Sequence, residues 1–139
     1  RACHQVEACG QTVYCRPNDP SRPVALQACG ADDEPNDPFG IQSVIIEEDT
    51  LYIRVNYGGG CAEHDFSACF GAFQERIPVQ TVLTVTHAAN GDVCRAIVEE
   101  QLAIDLTPVR DAFQEQYQVE NGSVGIAVEA AGMTLEYAF

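Results

Sequence analysis

Seven cysteines in a chain of 139 residues limit what this sequence can fold into more than any other feature. They stand at positions 3, 9, 15, 29, 61, 69 and 94, scattered along the chain and not grouped as two C-x-x-C knuckles. Scatter of this kind favours disulfides over a zinc cage, and disulfides persist in an oxidising compartment. The chain is therefore expected to be secreted, extracellular or displayed on the outer cell surface. An odd count leaves at least one thiol without a partner in the chain, whether free, joined to another subunit by an intermolecular disulfide, or separated from a partner beyond the segment. The length suits one domain with a hydrophobic core of its own, so sulfur reinforces the fold and need not create it.

Charge narrows the partners. The 21 acidic residues face 7 basic ones, all arginine, for a formal charge of -14. Nucleic acid is excluded as a partner, because affinity for it rests on a basic patch that neutralises phosphates. An anionic membrane surface is disfavoured on the same ground. An acidic excess suits cationic partners, divalent cations or a salty, calcium-containing medium. No apolar run approaches the roughly 20 residues of a transmembrane helix. Arg1 follows no signal peptide, so a leader or upstream module is expected to have been removed.

Three regions are expected. Residues 1–30 hold four of the seven cysteines and few apolar side chains, a composition that reads as a disulfide-rich N-terminal segment. Residues 31–40 are acidic and rich in turn formers, which reads as a linker or exposed loop. From Ile41 the texture is that of strands. Ile41–Glu47 and Thr50–Tyr57 flank a short turn, and Leu51, Ile53, Val55 and Tyr57 fall on one face. Gly58, Gly59 and Gly60 then break the strand, where only glycine allows close backbone approach and unusual φ angles. Asp65–Phe73 and Val79–His87 are further strands, and Asn90-Gly91 should turn the second of these back to pair with Val93–Leu106. Thr107 is a good N-cap and Pro108 a good first residue for one short helix over about 108–117, with Val109, Ala112, Phe113 and Tyr117 on one face. A last hairpin takes Ser123–Glu129 and Met133–Phe139. The expected fold over 41–139 is mainly β, an antiparallel β-sandwich of about six or seven strands with one helix.

The most suggestive chemistry lies in Tyr57-Gly-Gly-Gly-Cys-Ala-Glu-His-Asp-Phe66 and His87-Ala-Ala-Asn-Gly-Asp-Val-Cys94. Each contributes a cysteine and a histidine at a strand end. Three arrangements stay open. Cys61 and Cys94 can form a disulfide, which the compartment favours. All four groups can hold a zinc or copper ion. With the sulfurs paired, His64, His87 and a carboxylate such as Asp65 or Asp92 can still bind a metal. Otherwise the histidines are hydrogen-bonded structural groups. The pairing of Cys3, Cys9, Cys15, Cys29 and Cys69 is open. Asp32, Asp33, Glu34, Asn36 and Asp37 offer oxygens for a calcium ion but miss the EF-hand spacing, so a solvated loop is the better reading. Catalysis finds little support: there is no G-x-S-x-G elbow, and Glu47-Glu48 and Glu99-Glu100 are strand neighbours that point to opposite faces. Asn121-Gly-Ser123 is a glycosylation sequon and also a turn.

Two segments carry a resemblance. Cys3-His-Gln-Val-Glu-Ala-Cys-Gly-Gln-Thr-Val-Tyr-Cys15 resembles the close of a cysteine-rich motif in exported bacterial proteins. Residues 50–139 resemble an uncharacterised bacterial secreted or lipoprotein domain with Y-G-G-G-C-x-x-H-x-F, H-x-x-x-G-D-x-C, D-L-T-P and a terminal L-x-Y-x-F, here at Tyr57–Phe66, His87–Cys94, Asp105–Pro108 and Leu135–Phe139. The resemblance implies export and a compact β domain, with no activity to transfer. The leading functional expectation is a non-enzymatic extracellular module that binds a protein or itself, in the extreme as a polymer, with no cofactor. The alternatives are a periplasmic or extracellular metal binder holding one transition metal or calcium ion through His64 and His87, and a small hydrolase.

Overall fold

Period-two burial along Thr50–Gly59 places Leu51, Ile53, Val55 and Tyr57 inward, as the sequence alternation requires. In the computed structural model, which describes residues 21–30 and 36–139, nine strands form two facing sheets. They are β1 (Arg22–Val24), β2 (Leu26–Ala28), β3 (Gly40–Glu47), β4 (Thr50–Gly59), β5 (Asp65–Phe70), β6 (Gln80–Ala88), β7 (Ala96–Asp105), β8 (Ser123–Val128) and β9 (Met133–Ala138). One helix, α1 (Thr107–Tyr117), separates β7 from β8. The first sheet runs β1-β7-β4-β3 and the second β2-β5-β6-β8-β9. The core lies between them, where Leu51, Ile53, Leu102 and Ile104 of the first sheet meet Leu83, Ile126 and Tyr137 of the second. Each such side chain stabilises the fold by about 1.5–3 kcal/mol through removal from water.

The fold is the expected mainly-β sandwich, with three differences. First, the expected count of six or seven strands over 41–139 holds, as β3–β9, and two more, β1 and β2, precede them; each is only three residues long, one of them containing Pro23, and too short to show a period. Both lie inside residues 1–30, so the described part of that stretch belongs to the sandwich, with Val24 buried on one sheet and Leu26 on the other. Second, the sheets are mixed. β1 runs parallel to β7, β2 to β5 and β6 to β8. Third, β6 does not pair with β7. Asn90 and Gly91 do form a tight turn with positive φ of 56° and 77°, but residues 92–95 then carry the chain across to the other sheet, where β7 pairs with β4 and β1. The expected helix is present, capped differently: Leu106 stands at the N-cap, and Thr107 is helical with its N–H donating to Asp105 Oδ1 at 3.0 Å. The last hairpin is as expected, β8 and β9 pairing antiparallel. Among the described residues no helix is long and apolar enough to cross a membrane.

Candidate functional site

Two crossovers between the sheets lie side by side at one end of the sandwich. One leads from the glycine end of β4 through residues 60–64 into β5, and the other leads from β6 through residues 89–95 into β7. The Cys61–Cys94 disulfide ties them together, with Cα atoms 5.8 Å apart. A second disulfide, Cys29–Cys69, fastens the end of β2 to β5. Cys3, Cys9 and Cys15 lie outside the described residues, as do Asp32, Asp33 and Glu34.

Asp92 turns its carboxylate inward beside the disulfide, where its side chain is 0% exposed. Its Oδ2 accepts from the backbone N–H groups of Gly60 at 3.0 Å, Cys61 at 3.2 Å and Ala62 at 3.2 Å, and from His64 Nε2 at 2.8 Å. Its Oδ1 accepts from the Cys94 N–H at 3.1 Å. Burial alone would raise this carboxyl's pKa. The hydrogen bonds from His64, Cys94, Cys61 and Ala62 outweigh burial and hold it well below the usual carboxylate range. Gly59 makes the arrangement sterically feasible, since a Cβ there would stand 2.5 Å from Asp92 Oδ2 and 2.7 Å from His64 Nε2. Gly60, at φ 109°, meets the backbone requirement that the glycine run suggested.

His64 continues the chain of contacts. Its Nδ1 lies 2.7 Å from His87 Nε2, and both imidazoles are buried. His87 Nδ1 in turn faces the carbonyl oxygens of Asp37 at 3.1 Å and Pro38 at 3.2 Å. Asp37 is anchored there: its N–H donates to the His87 carbonyl at 2.7 Å, and its carboxylate accepts from the Ala89 N–H at 2.8 Å. Aromatic rings wall the pair. Tyr57 stacks on His64 at 4.3 Å, Phe66 on His87 at 4.7 Å, and Phe39 meets His87 edge-on at 5.6 Å. The Tyr57 hydroxyl donates to buried Glu100, which Arg22 Nη1 also reaches at 3.2 and 3.3 Å. Burial, then the hydrogen bond and charge of Glu100, push the Tyr57 hydroxyl far up. Arg22 Nη2 donates to the His64 carbonyl at 2.5 Å, which joins the two networks.

The sequence-derived candidates thus divide. His64, His87 and Asp92 come together, with the Cys61–Cys94 disulfide alongside. Asp65 stands apart, its side chain 70% exposed, 3.9 Å from Arg22 and accepting from Asn90 Nδ2 at 2.9 Å. Asp37 is a backbone anchor. The residues do not fit a metal ion. Cys61, Asp92 and Cys94 are close enough to surround one, but the sulfurs are bonded to each other. The two imidazole nitrogens, 2.7 Å apart, are closer than two ligands on a tetrahedral ion with bonds of about 2.0–2.1 Å can be. Both histidines lie deep, His64 2% and His87 1% exposed.

Glu100, Arg22 and Gly59 are the participants that motif reading missed. Glu100 had a signal, because it shares strand parity with Val98, Leu102 and Ile104 and so had to point inward. Arg22 had none, since its partners lie 42 and 78 residues away.

No family model matches this sequence, and no curated protein does. Among solved structures the fold is similar to that of a NigD-like immunity protein from Bacteroides caccae, with a TM-score of 0.62 and 18% identity over 84% of this chain and 58% of that one. It is also similar to a DUF1344 protein of unknown function from Bacteroides vulgatus, with a TM-score of 0.56 and 14% identity over 86% of this chain and 56% of that one. At these identities the likeness shows the fold, and this chain spans a little over half the length of either neighbour.

Proposed function

We propose that this chain is a non-enzymatic, exported module that binds another protein. The observation that carries the reading is the satisfaction of its most reactive-looking groups. His64, His87 and Asp92 are buried and spend their hydrogen bonds on one another and on nearby backbone, so they hold two crossovers and the 36–39 segment in place. Binding is then left to the surface. The similarity in fold to an immunity protein supports a protein partner, and a formal charge of -14 favours a basic one. Two disulfides among the described residues, one within the second sheet and one between the two crossovers, support an oxidising compartment. Of the four edge strands, β1, β2, β3 and β9, the longer β3 and β9 are where strand addition, including assembly of copies into a polymer, would occur.

A binding titration tests the proposal. A basic protein recovered on this chain from its own extracellular fraction should, once both are purified, bind it saturably and with an on-rate that falls as salt rises. His64→Ala, provided it folds, should leave the surface contact intact. Turnover of a hydrolysable substrate that disappears in the same variant would overturn the reading.

A further inference from the structure

We infer that an extended, basic segment of the partner adds to the free edge of β9, with an arginine or lysine set opposite Glu136; this rests on the proposed protein partner and names where that partner docks. Hydrogen bonding defines the edge. Gly122 and Phe139 exchange both backbone hydrogen bonds at 2.9 Å, and in an antiparallel ladder such pairs alternate with unbonded ones. Tyr137, Leu135 and Met133 therefore spend their N–H and C=O groups on β8, whereas those of Ala138, Glu136 and Thr134 point away from it. β9 ends its sheet, and no described residue hydrogen-bonds to these outward groups. An added strand satisfies them.

The other three edges are blunted. β1 and β2 are three residues long, β1 contains Pro23, and Cys29 beside β2 is tied to Cys69 of β5. The register of β3 shifts between Ile41 and Ser43, an irregularity of the kind that interrupts edge pairing. β9 runs six residues without proline or register shift.

Side chains select the occupant. Glu136 is the one charged residue of β9; its Oε2 accepts from Ser123 Oγ at 2.6 Å, and no described arginine pairs with it. In an added antiparallel strand the residue opposite Glu136 belongs to a hydrogen-bonded pair, about 5.5 Å away between Cα atoms, with its side chain on the same face. Beside Glu136 lies a groove of about 460 Å³ lined also by Gly125, Leu135, Pro78 and the fully exposed Ile77. It suits the aliphatic stem of an arginine or lysine whose head meets the carboxylate. On the inner face Met133 is 49% exposed although it shares strand parity with buried Tyr137, so apolar residues at alternate positions of the added segment have a surface to cover. A second copy of this chain is the poorer occupant, because each copy carries a formal charge of -14.

NMR of the full disulfide-bonded chain, labelled with nitrogen-15, tests the edge with a short synthetic peptide of alternating valine and threonine carrying one central arginine in place of threonine. The expected result is saturable binding in which the amides of Thr134, Glu136 and Ala138 shift and gain protection from exchange, while those of Leu135 and Tyr137 keep the protection that β8 gives them. N-methylation of the threonine and arginine nitrogens of the peptide, which face β9, should abolish binding. Glu136→Gln, an exposed change that spares the fold, should weaken binding about two- to fivefold, the worth of an opposite-charge cross-strand pair. No shift at the outward amides under millimolar peptide, binding elsewhere, or binding indifferent to N-methylation refutes the docking edge. An unchanged affinity in Glu136→Gln refutes the basic residue opposite it. Protection of the same amides as the chain alone is concentrated refutes the occupant, since the edge then pairs with itself. If the peptide fails while a basic protein still binds in the titration, the edge is wrong and the wider reading stands; if no basic protein binds, the wider reading fails.

Discussion

Replacing Asp92 with asparagine changes almost no volume and removes one charge, which makes it the sharpest perturbation of the crossover clasp. The carboxylate is fully buried and takes five hydrogen bonds, four of them on Oδ2. An asparagine can present one carbonyl oxygen to the cluster of Gly60, Cys61, Ala62 and His64. Its amide nitrogen then faces the Cys94 N–H, donor against donor, which costs about 1–3 kcal/mol for the orphaned group. The donors that converge on Oδ2 also lose the carboxylate charge, and a hydrogen bond to a charged group is worth about 1.5–3 kcal/mol against about 0.5–1.5 kcal/mol for a neutral one. The two effects share the same contacts and do not add fully. The expected destabilisation is about 3–5 kcal/mol, a large fraction of an ordinary domain's stability, or a lowering of Tm by roughly 10–15 °C. Urea unfolding with the disulfides intact, compared at equal m-value, measures it. A loss under about 0.5 kcal/mol would refute the reasoning, because it would mean that Asp92 is solvated in the folded chain.

Further outcomes follow from the same geometry. The pKa of Asp92 is held down in the fold, so its contribution is fully present above the ordinary carboxylate value of 3.8 and is lost as pH falls below it. Acid unfolding curves should show this for the wild type and not for Asp92→Asn. Tyr57 and Tyr137 are both raised, by burial first and then by Glu100 and Asp49 respectively. The stability linked to them is complete below pH 10 and declines above it, and in ultraviolet titration both phenols should ionise only as the chain unfolds. Gly59→Ala should cost about 1–3 kcal/mol through overpacking against Asp92 and His64. Gly58→Ala meets nothing within 4 Å and should stay within about 1 kcal/mol of the wild type by thermal melts. Removing the Cys61–Cys94 bridge as a double serine variant should cost about 3–4 kcal/mol from the loop of 33 residues that it closes.

What the sequence made legible was local. Strand β4 announced itself through Leu51, Ile53, Val55 and Tyr57, and the helix through its 3.6-residue spacing, because both signals repeat within one element. Pairing was not local. Asn90-Gly91 makes the turn it promised, yet the next strand joins the other sheet, and the partners that Asp92 and β7 find there lie some 30 or more positions earlier. The short strands β1 and β2 exist because β7 and β5 offer them edges, which no period in three residues can show. The gathering of His64 and His87 was readable as proximity at strand ends. Its chemistry was not, since ligand and hydrogen-bond partner use the same nitrogens, and only the 2.7 Å separation distinguishes them.

Native-state hydrogen exchange at the amides of Gly60, Cys61, Ala62 and Cys94 tests the closed clasp most directly. All four sit on crossovers, where unanchored N–H groups exchange through local fluctuation. If they donate to Asp92 as the structure places them, they exchange only with opening of the whole sandwich end, and Asp92→Asn releases them as a group. Exchange of these amides within the dead time of the wild-type experiment, while β4 and β7 remain protected, would contradict a clasp that joins the two sheets.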